Sequence, residues 1–354
     1  INTKESIKYF KMAIDKGNTR AMNIYAVILI KGEGVPIDAK ESIKYFKMAI
    51  NKGDSNAMYN YAELLKSGKG IPVDIKNSIK YFKKAIDKGN PEAMHGYAKS
   101  LLDGSLGQPD YRGAVKYFKM AIDRGNIDSM NNYAFILCNG QGVPVDYKKA
   151  IKYYKMASEK GHAGGMNNYA CLCRDGKGCP VNYKEAIKYF KMAIDKEGVP
   201  NSMNHLAMML KNGQGCDVNY QKSIKYLKKA IKKGFPPAMN NYALMLYKTE
   251  GVDVNINEAA KYFKMAISNN FVDAMLNYGK ILIEMKNRTS IREGMMYLKK
   301  AAQRRNVDAM YEYARMINKL NMVDEEAIFY LQKASELGHQ QSMKLLQNIL
   351  NGNK

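Results

Sequence analysis

Residues 21–53 read AMNIYAVILIKGEGVPIDAKESIKYFKMAINKG and hold two segments with helical spacing of apolar residues, joined by a loop rich in glycine. Similar stretches recur along the chain of 354 residues, and the steps between equivalent tyrosines are 36 residues five times, then 37, 36, 35 and 33. A fixed period of this size predicts a solenoid, in which each unit buries its apolar face against its neighbours. The equivalent tyrosines are Tyr9, Tyr45, Tyr81, Tyr117, Tyr153, Tyr189, Tyr226, Tyr262, Tyr297 and Tyr330.

The first segment of the quoted stretch predicts an amphipathic helix. Met22, Tyr25, Ala26 and Leu29 stand at positions i, i+3, i+4 and i+7, which is the spacing of a buried helical face. Gly32 follows and predicts the end of this helix, because glycine adopts the left-handed conformation of a helix C-cap without strain.

The second segment predicts another helix after the loop. Asp38 is the expected N-cap, and Glu41 three residues later is the expected partner in a capping box. Ile43, Phe46 and Ala49 are predicted to form the buried face of this helix. Nothing in the repeat alternates with a period of two, so no sheet is expected.

The motif as a whole resembles a known family. Ala-x-x-x-Tyr-Ala-x-x-Leu, then Gly-x-Gly-Val-Pro-x-Asp, then Ile-Lys-Tyr-Phe-Lys-x-Ala, is similar to the Sel-one-like repeat, a relative of the tetratricopeptide repeat. The resemblance implies an all-α fold, a right-handed superhelical solenoid of antiparallel helix pairs with about 36 residues per repeat. It also implies a scaffold for protein complexes that has no intrinsic catalysis.

The repeats predict one continuous array over residues 1–354 rather than several globular domains. Its expected parts are a second-helix half repeat at 1–17, about nine full repeats at 19–338, and a first-helix half repeat or cap at 340–350. The chain starts inside a repeat, so we expect it to be part of a longer protein. In the first predicted helix, Ile7, Phe10 and Ile14 lack a preceding partner, which suggests possible end-to-end self-association.

Composition narrows the class of protein. Hydrophobic residues make up 46% of the chain, which argues against disorder, and no apolar run approaches the roughly 18 residues that would span a bilayer. The cysteines are odd in number and unevenly placed, which favours reduced thiols and a cytoplasmic location. They are Cys138, Cys171, Cys173, Cys179 and Cys216.

Candidate contact residues lie on the first helix of each repeat, which by the resemblance lines the concave side. Counted from the repeat methionine, position +1 is often asparagine, and position +5 changes from repeat to repeat as ligand-reading positions would. Asparagine amides can bond a peptide backbone, and an apolar strip can take its side chains. We therefore predict a partner-binding groove for a protein or peptide segment at Asn131, Phe135, Asn167, Cys171, Asn204, Met208, Asn240 and Leu244.

This groove has a plainer alternative. The asparagines can simply solvate or cap the helix surface, and position +5 can vary because nothing constrains it. A second asparagine row at position +2, which includes Asn60, Asn168 and Asn241, is predicted to form hydrogen bonds between repeats.

A lysine stripe lies on the second helix, and most of the net charge of +23 comes from it. Eight repeats contribute sixteen lysines through the Lys-Tyr-x-Lys element. The functional interpretation is weak polyanion binding on the convex side, to RNA or to an anionic membrane surface. The alternative is a solvated face that keeps the protein soluble.

No residue pattern predicts catalysis. The four histidines, His95, His162, His205 and His339, are far apart and lack a metal-ligand spacing. We therefore expect no enzyme activity, no cofactor, no metal and no small-molecule substrate. A second alternative remains open: the repeats could be the regulatory arm of a larger enzyme, such as a kinase or a ubiquitin ligase.

Overall fold

A computed structural model of the chain describes residues 3–248, 250–251, 253–319 and 325–351. These residues form helices joined by short loops and contain no strand, so the predicted all-α repeat fold is confirmed. The helices are α1 (Thr3–Asp15), α2 (Thr19–Lys31), α3 (Ala39–Asn51), α4 (Ser55–Ser67), α5 (Ile75–Asp87), α6 (Pro91–Leu102), α7 (Tyr111–Ile122), α8 (Ile127–Asn139), α9 (Tyr147–Glu159), α10 (Ala163–Asp175), α11 (Tyr183–Glu197), α12 (Pro200–Asn212), α13 (Tyr220–Lys232), α14 (Pro236–Tyr247), α15 (Ile256–Ser268), α16 (Val272–Glu284), α17 (Arg288–Gln303), α18 (Val307–Lys319), α19 (Glu325–Glu336) and α20 (Gln340–Leu350).

The chain divides into two compact units. Unit 1 is Ile1–Ala193 and unit 2 is Ile194–Lys354, so the boundary falls inside α11. Even-numbered helices are the first helices of the repeats and odd-numbered helices are the second helices. In each unit a first helix packs on the second helix that follows it, as α4 does on α5 and α14 on α15.

The helix ends follow from the loop sequence. Gly32 ends α2 in the left-handed conformation (φ 74°), and the Asp38 carboxylate accepts a hydrogen bond from the Glu41 amide at 2.8 Å. The expected capping box is wrong in one respect. The Asp38 amide donates to the Leu29 carbonyl, and the Glu41 carboxylate instead accepts from the hydroxyl of Tyr45. The loop folds back on the first helix, which occupies the amide that Glu41 would have capped.

The two loop glycines are required for different reasons. The C-cap glycines of α4 and α8 lie under an aliphatic side chain, and a Cβ on Gly140 would stand 2.9 Å from a methyl of Val145. The second glycine of the loop abuts the start of the preceding second helix. A Cβ on Gly178, which has φ 81°, would stand 2.6 Å from the carbonyl carbon of Tyr147.

The core of most repeats combines a first-helix tyrosine with a second-helix tyrosine, whereas α12 has the buried Leu206 at the tyrosine position. Tyr25 meets Tyr45 edge to face with ring centroids 5.1 Å apart, and Tyr242 meets Tyr262 in the same way at 4.9 Å. Edge-to-face contacts of this kind stabilise beyond the area they bury. The predicted face of α2 is buried, and Phe46 and Ala49 of α3 are buried against it.

Candidate functional site

The asparagines of unit 1 bond to one another from repeat to repeat. The Asn168 amide donates to the side-chain oxygen of Asn131 at 3.0 Å, and the Asn60 amide donates to that of Asn23 at 2.9 Å. Within one helix, the amide of Asn167 donates to the oxygen of Asn168 at 3.1 Å. The +2 row therefore forms the inter-repeat hydrogen bonds that the sequence predicted.

Unit 2 has the same arrangement, which we call the asparagine ladder in both units. The Asn241 amide donates to the oxygen of Asn204 at 2.8 Å, and the Asn277 amide donates to that of Asn240 at 3.0 Å. In each case the +2 asparagine of one repeat donates to the +1 asparagine of the preceding repeat. The ladder thus has one direction along the chain.

The predicted +1 contact residues are part of this ladder. Asn167, Asn204 and Asn240 are only 5%, 7% and 5% exposed, and Asn131 is half-buried. The oxygens of Asn131, Asn204 and Asn240 already accept a hydrogen bond from the next repeat. These asparagines fix the spacing of the first helices, and a role for their amides in holding a peptide stays a proposal.

The predicted +5 residues of unit 1 lie on the outer surface of the first helices, which we call the first-helix face. Phe135 of α8 is 49% exposed, whereas the phenylalanines at 46, 82, 118, 190 and 263 are buried. Cys171 of the neighbouring α10 is partly buried, and this burial raises the pKa of its thiol to about 11 despite the nearby Arg174. At neutral pH the thiol is therefore protonated and acts as a small apolar group.

In unit 2 the predicted +5 residues are Met208 of α12 and Leu244 of α14, and both are partly exposed. Further along, charge replaces this apolar character. Glu312 of α18 stands at the +2 position and forms ion pairs with Lys280 of α16 at 3.2 Å and with Arg315 at 2.6 Å. Ionic contacts between repeats take over where the ladder ends.

A cavity on the first-helix face of unit 1 was not predicted from the sequence. It has a volume of about 200 Å³, lies between α2 and α4, and is lined mainly by apolar atoms of Val27, Ile30 and Leu64 beside Glu63. Val27 and Glu63 occupy the +5 position. The sequence signal for this cavity is a second apolar residue, Ile30, three positions after Val27.

The histidines of unit 1 have structural roles. The His162 ring caps α10 by accepting from the Gly165 amide at 2.7 Å, and its other nitrogen lies 3.2 Å from Asp128. His95 contacts the Ser129 hydroxyl at 2.9 Å, and burial lowers the pKa of its ring. Within the part of the chain that the structure describes, no three residues of the metal-ligating types come together.

The described helices also bear on the membrane question. None of them combines the length and the apolar character that crossing a membrane requires. The net charge differs between these helices: α5, α7 and α9 each carry +3, whereas α2 carries +2 and α4 and α6 are neutral.

A sequence profile of the Sel1 repeat matches ten successive segments, residues 2–18, 19–54, 55–90, 91–126, 127–162, 163–197, 200–235, 236–271, 272–306 and 307–339. The chain belongs to the Sel1 repeat family. Sel1 repeats generally occur in scaffolds for protein–protein interaction. No curated protein sequence matches this Sel1 repeat chain.

Many solved structures are similar to this Sel1 repeat chain, and two of them are Sel1-type repeat proteins with a TM-score above 0.5. The protective antigen c5321 of uropathogenic Escherichia coli, which displays an SLR fold, is 22% identical over 97% of this chain and 74% of its own, with a TM-score of 0.70. A Sel1 repeat protein from Oxalobacter formigenes is 23% identical over 64% of this chain and 93% of its own, with a TM-score of 0.55. At these identities the likeness concerns the fold alone.

Proposed function

We propose that this Sel1 repeat chain is a non-catalytic scaffold that binds a protein or peptide segment on the first-helix face of its units. The observation that carries the proposal is the Phe135 ring, 49% exposed at the +5 position, where the preceding repeat has the exposed Lys99 and the following repeat the partly buried Cys171. Exposed aromatic side chains surrounded by ordered neighbours are the usual anchors of protein interfaces. The general use of Sel1 repeats in interaction scaffolds supports the same function.

The proposed contacts divide between two kinds of residue. The +5 side chains supply the apolar contacts, and the buried asparagines hold the first helices at a fixed spacing, which lowers the entropy cost of binding. The cavity beside Val27 offers a further place for one apolar side chain of the partner. The proposed site residues are Phe135 and Cys171 with Asn131 and Asn167 in unit 1, and Met208 and Leu244 with Asn204 and Asn240 in unit 2.

We also propose a reducing, cytoplasmic compartment. Its support is that the five cysteines are free thiols and none of them is paired in a disulfide. A partner that meets this chain in the cytoplasm would be a segment with apolar side chains at regular intervals.

The test is a selection of peptides from a phage-displayed random library on the full chain at high salt, followed by affinity measurements with the selected peptide. The variants are Phe135→Ala in unit 1 and Leu244→Ala in unit 2. Each removes one +5 side chain, and at least one of them should weaken binding about tenfold or more.

Matched controls remove exposed aliphatic side chains away from the first-helix face. Val145→Ala in unit 1 and Val254→Ala in unit 2 change residues that are 51% and 53% exposed on loops. Both controls should leave the affinity unchanged, with helicity equal in all variants by circular dichroism. The proposal is wrong if no peptide is selected, or if the controls weaken binding as much as the face variants.

A further inference from the structure

The outer surface of the second helices of unit 1, the second-helix face, carries basic residues in a regular grid. Each of α3, α5, α7, α9 and α11 presents three of them at positions i, i+4 and i+7, and all are exposed. The grid consists of Lys40, Lys44, Lys47, Lys76, Lys80, Lys83, Arg112, Lys116, Lys119, Lys148, Lys152, Lys155, Lys184, Lys188 and Lys191.

Asp87, Asp123 and Glu159 stand four positions after the third basic residue of α5, α7 and α9 and offset part of the charge of the grid, but none of them is close enough for an ion pair. Among the residues that the structure describes, no carboxylate forms an ion pair with any of the fifteen. Lysine stems rest on tyrosine rings instead, with the Lys116 ammonium 5.6 Å from the centroid of Tyr117 and that of Lys188 5.5 Å from Tyr189. A contact of this kind leaves the ammonium hydrogens in water.

The complete grid belongs to unit 1. In unit 2 the first row is interrupted by Gln221 and Asn257, and the middle row by Met296 and Phe329. A general need for solubility would favour basic residues equally in both units. The local completeness of the grid instead indicates a ligand that covers the second-helix face of unit 1.

The dimensions of the grid indicate the shape of the ligand that would fit it. Along one helix the three basic residues span about 10 Å, from a rise of about 1.5 Å per residue. Successive second helices repeat this row at steps on the order of 10 Å, so the grid is long and narrow. The tyrosines beneath it pack on first-helix tyrosines, as Tyr117 does on Tyr97, and their rings are not free to stack on bases.

We propose that the second-helix face of unit 1 binds the phosphate backbone of a nucleic-acid double helix, without reading its sequence. A regular array of cations gains the most binding free energy from an equally regular polyanion. Contacts to the nucleic-acid phosphate backbone alone carry no sequence information. Single strands are usually held by stacking on aromatic side chains, which this face does not offer. Proteins that bind a membrane surface usually insert apolar side chains into it. On these five helices the only exposed large apolar residues are Tyr111 and Met192.

The experiment measures binding of the full chain to a fluorescently labelled duplex of mixed sequence, by anisotropy, between about 0.05 and about 0.2 M salt. With one phosphate contact per helix, the slope of log affinity against log salt should be about −4.5. The triple variant Lys80→Gln, Lys116→Gln and Lys152→Gln should lower the affinity at least tenfold and reduce the slope by about 1 per lysine.

The matched control also removes three positive charges from unit 1, but at exposed residues outside the grid. It is the triple variant Lys69→Gln, Lys99→Gln and Lys177→Gln. This variant should keep the affinity within about twofold. An equal loss in both triple variants would mean attraction by total charge only and would overturn the proposal. So would tighter binding to a single strand, or binding to phosphatidylserine vesicles in place of the duplex.

Discussion

The side chain of Asn241 joins two first helices of unit 2, because its amide donates to the buried oxygen of Asn204 at 2.8 Å. Removing the donor leaves that oxygen without its partner from the next repeat. The desolvation of an unsatisfied polar group costs about 1–3 kcal/mol. Asn241→Ala should therefore lower the free energy of unfolding by this amount in urea denaturation. The control is Asn212→Ala, at an exposed position of α12, which should change the free energy of unfolding by less than about 0.5 kcal/mol. An equal loss of stability in the two variants would mean that the hydrogen bond between Asn241 and Asn204 does not stabilise the fold.

Alanine substitutions at two glycines of unit 1 distinguish backbone strain from steric crowding. Gly125 and Gly178 have φ of 82° and 81°, but only Gly178 has backbone atoms near its missing Cβ. Gly125→Ala should cost about 1–2 kcal/mol, the strain of alanine in the left-handed region. Gly178→Ala should cost clearly more, because its methyl would meet the Tyr147 carbonyl. Thermal unfolding of the two variants compares them directly, and equal destabilisation would contradict the close packing of the loop.

The thiols of Cys171 and Cys173 should react slowly with iodoacetamide in the folded chain. Burial raises their pKa to about 11 and about 12, so at pH 8 roughly one thousandth or less of each is thiolate. Mass spectrometry should show alkylation far slower than in the urea-unfolded chain. Rates equal to those of the unfolded chain would contradict the burial.

The same shifts have a consequence for stability at high pH. Above about pH 9 the unfolded chain loses these two protons while the folded chain keeps them. The free energy of unfolding is therefore unaffected below that pH and falls as the pH rises from about 9 to about 12. A Cys171→Ala, Cys173→Ala double variant should lose less stability over this window, as measured by urea denaturation at each pH.

At the scale of the helix, the sequence predicted most of what the structure contains. The spacing of Met22, Tyr25 and Leu29 is sufficient to predict a buried face, because the periodicity of a helix leaves one choice of side. The capping of α3 by Asp38 followed from residue type alone. The role of Glu41 did not, because the path of the loop determines which atom reaches the Asp38 amide first.

The candidate site was less accessible to sequence reasoning. Positions +1 and +2 are adjacent on a helix, so the sequence places both asparagine rows near the neighbouring repeat without saying which row is buried. Only the packing of α10 beside α8 makes Asn168 the donor and Asn131 the acceptor. Phe135 could be placed outward from the sequence, because it stands on the helix side opposite the buried methionine and tyrosine.

At the scale of the whole molecule, the net charge of +23 should make stability depend on salt. Unpaired cations on the second-helix face repel one another, and added salt screens this repulsion. The midpoint of thermal unfolding should therefore rise as sodium chloride is added, in circular dichroism. The rise of the midpoint with salt should be smaller in the triple variant Lys80→Gln, Lys116→Gln and Lys152→Gln. A midpoint that falls with salt in the wild-type chain would contradict this electrostatic account.

The tyrosine pairs also give the molecule a useful optical property. The chain has no tryptophan and 26 tyrosines, and eight tyrosine pairs among the described residues hold their ring centroids 4.6 to 5.8 Å apart. Light absorbed by one ring can therefore pass to its neighbour before it is emitted. A single tryptophan substituted for a phenylalanine would collect this excitation from the pairs around it. Its emission would report the melting of that repeat alone, because the chain has no other tryptophan and tyrosine emits at shorter wavelengths.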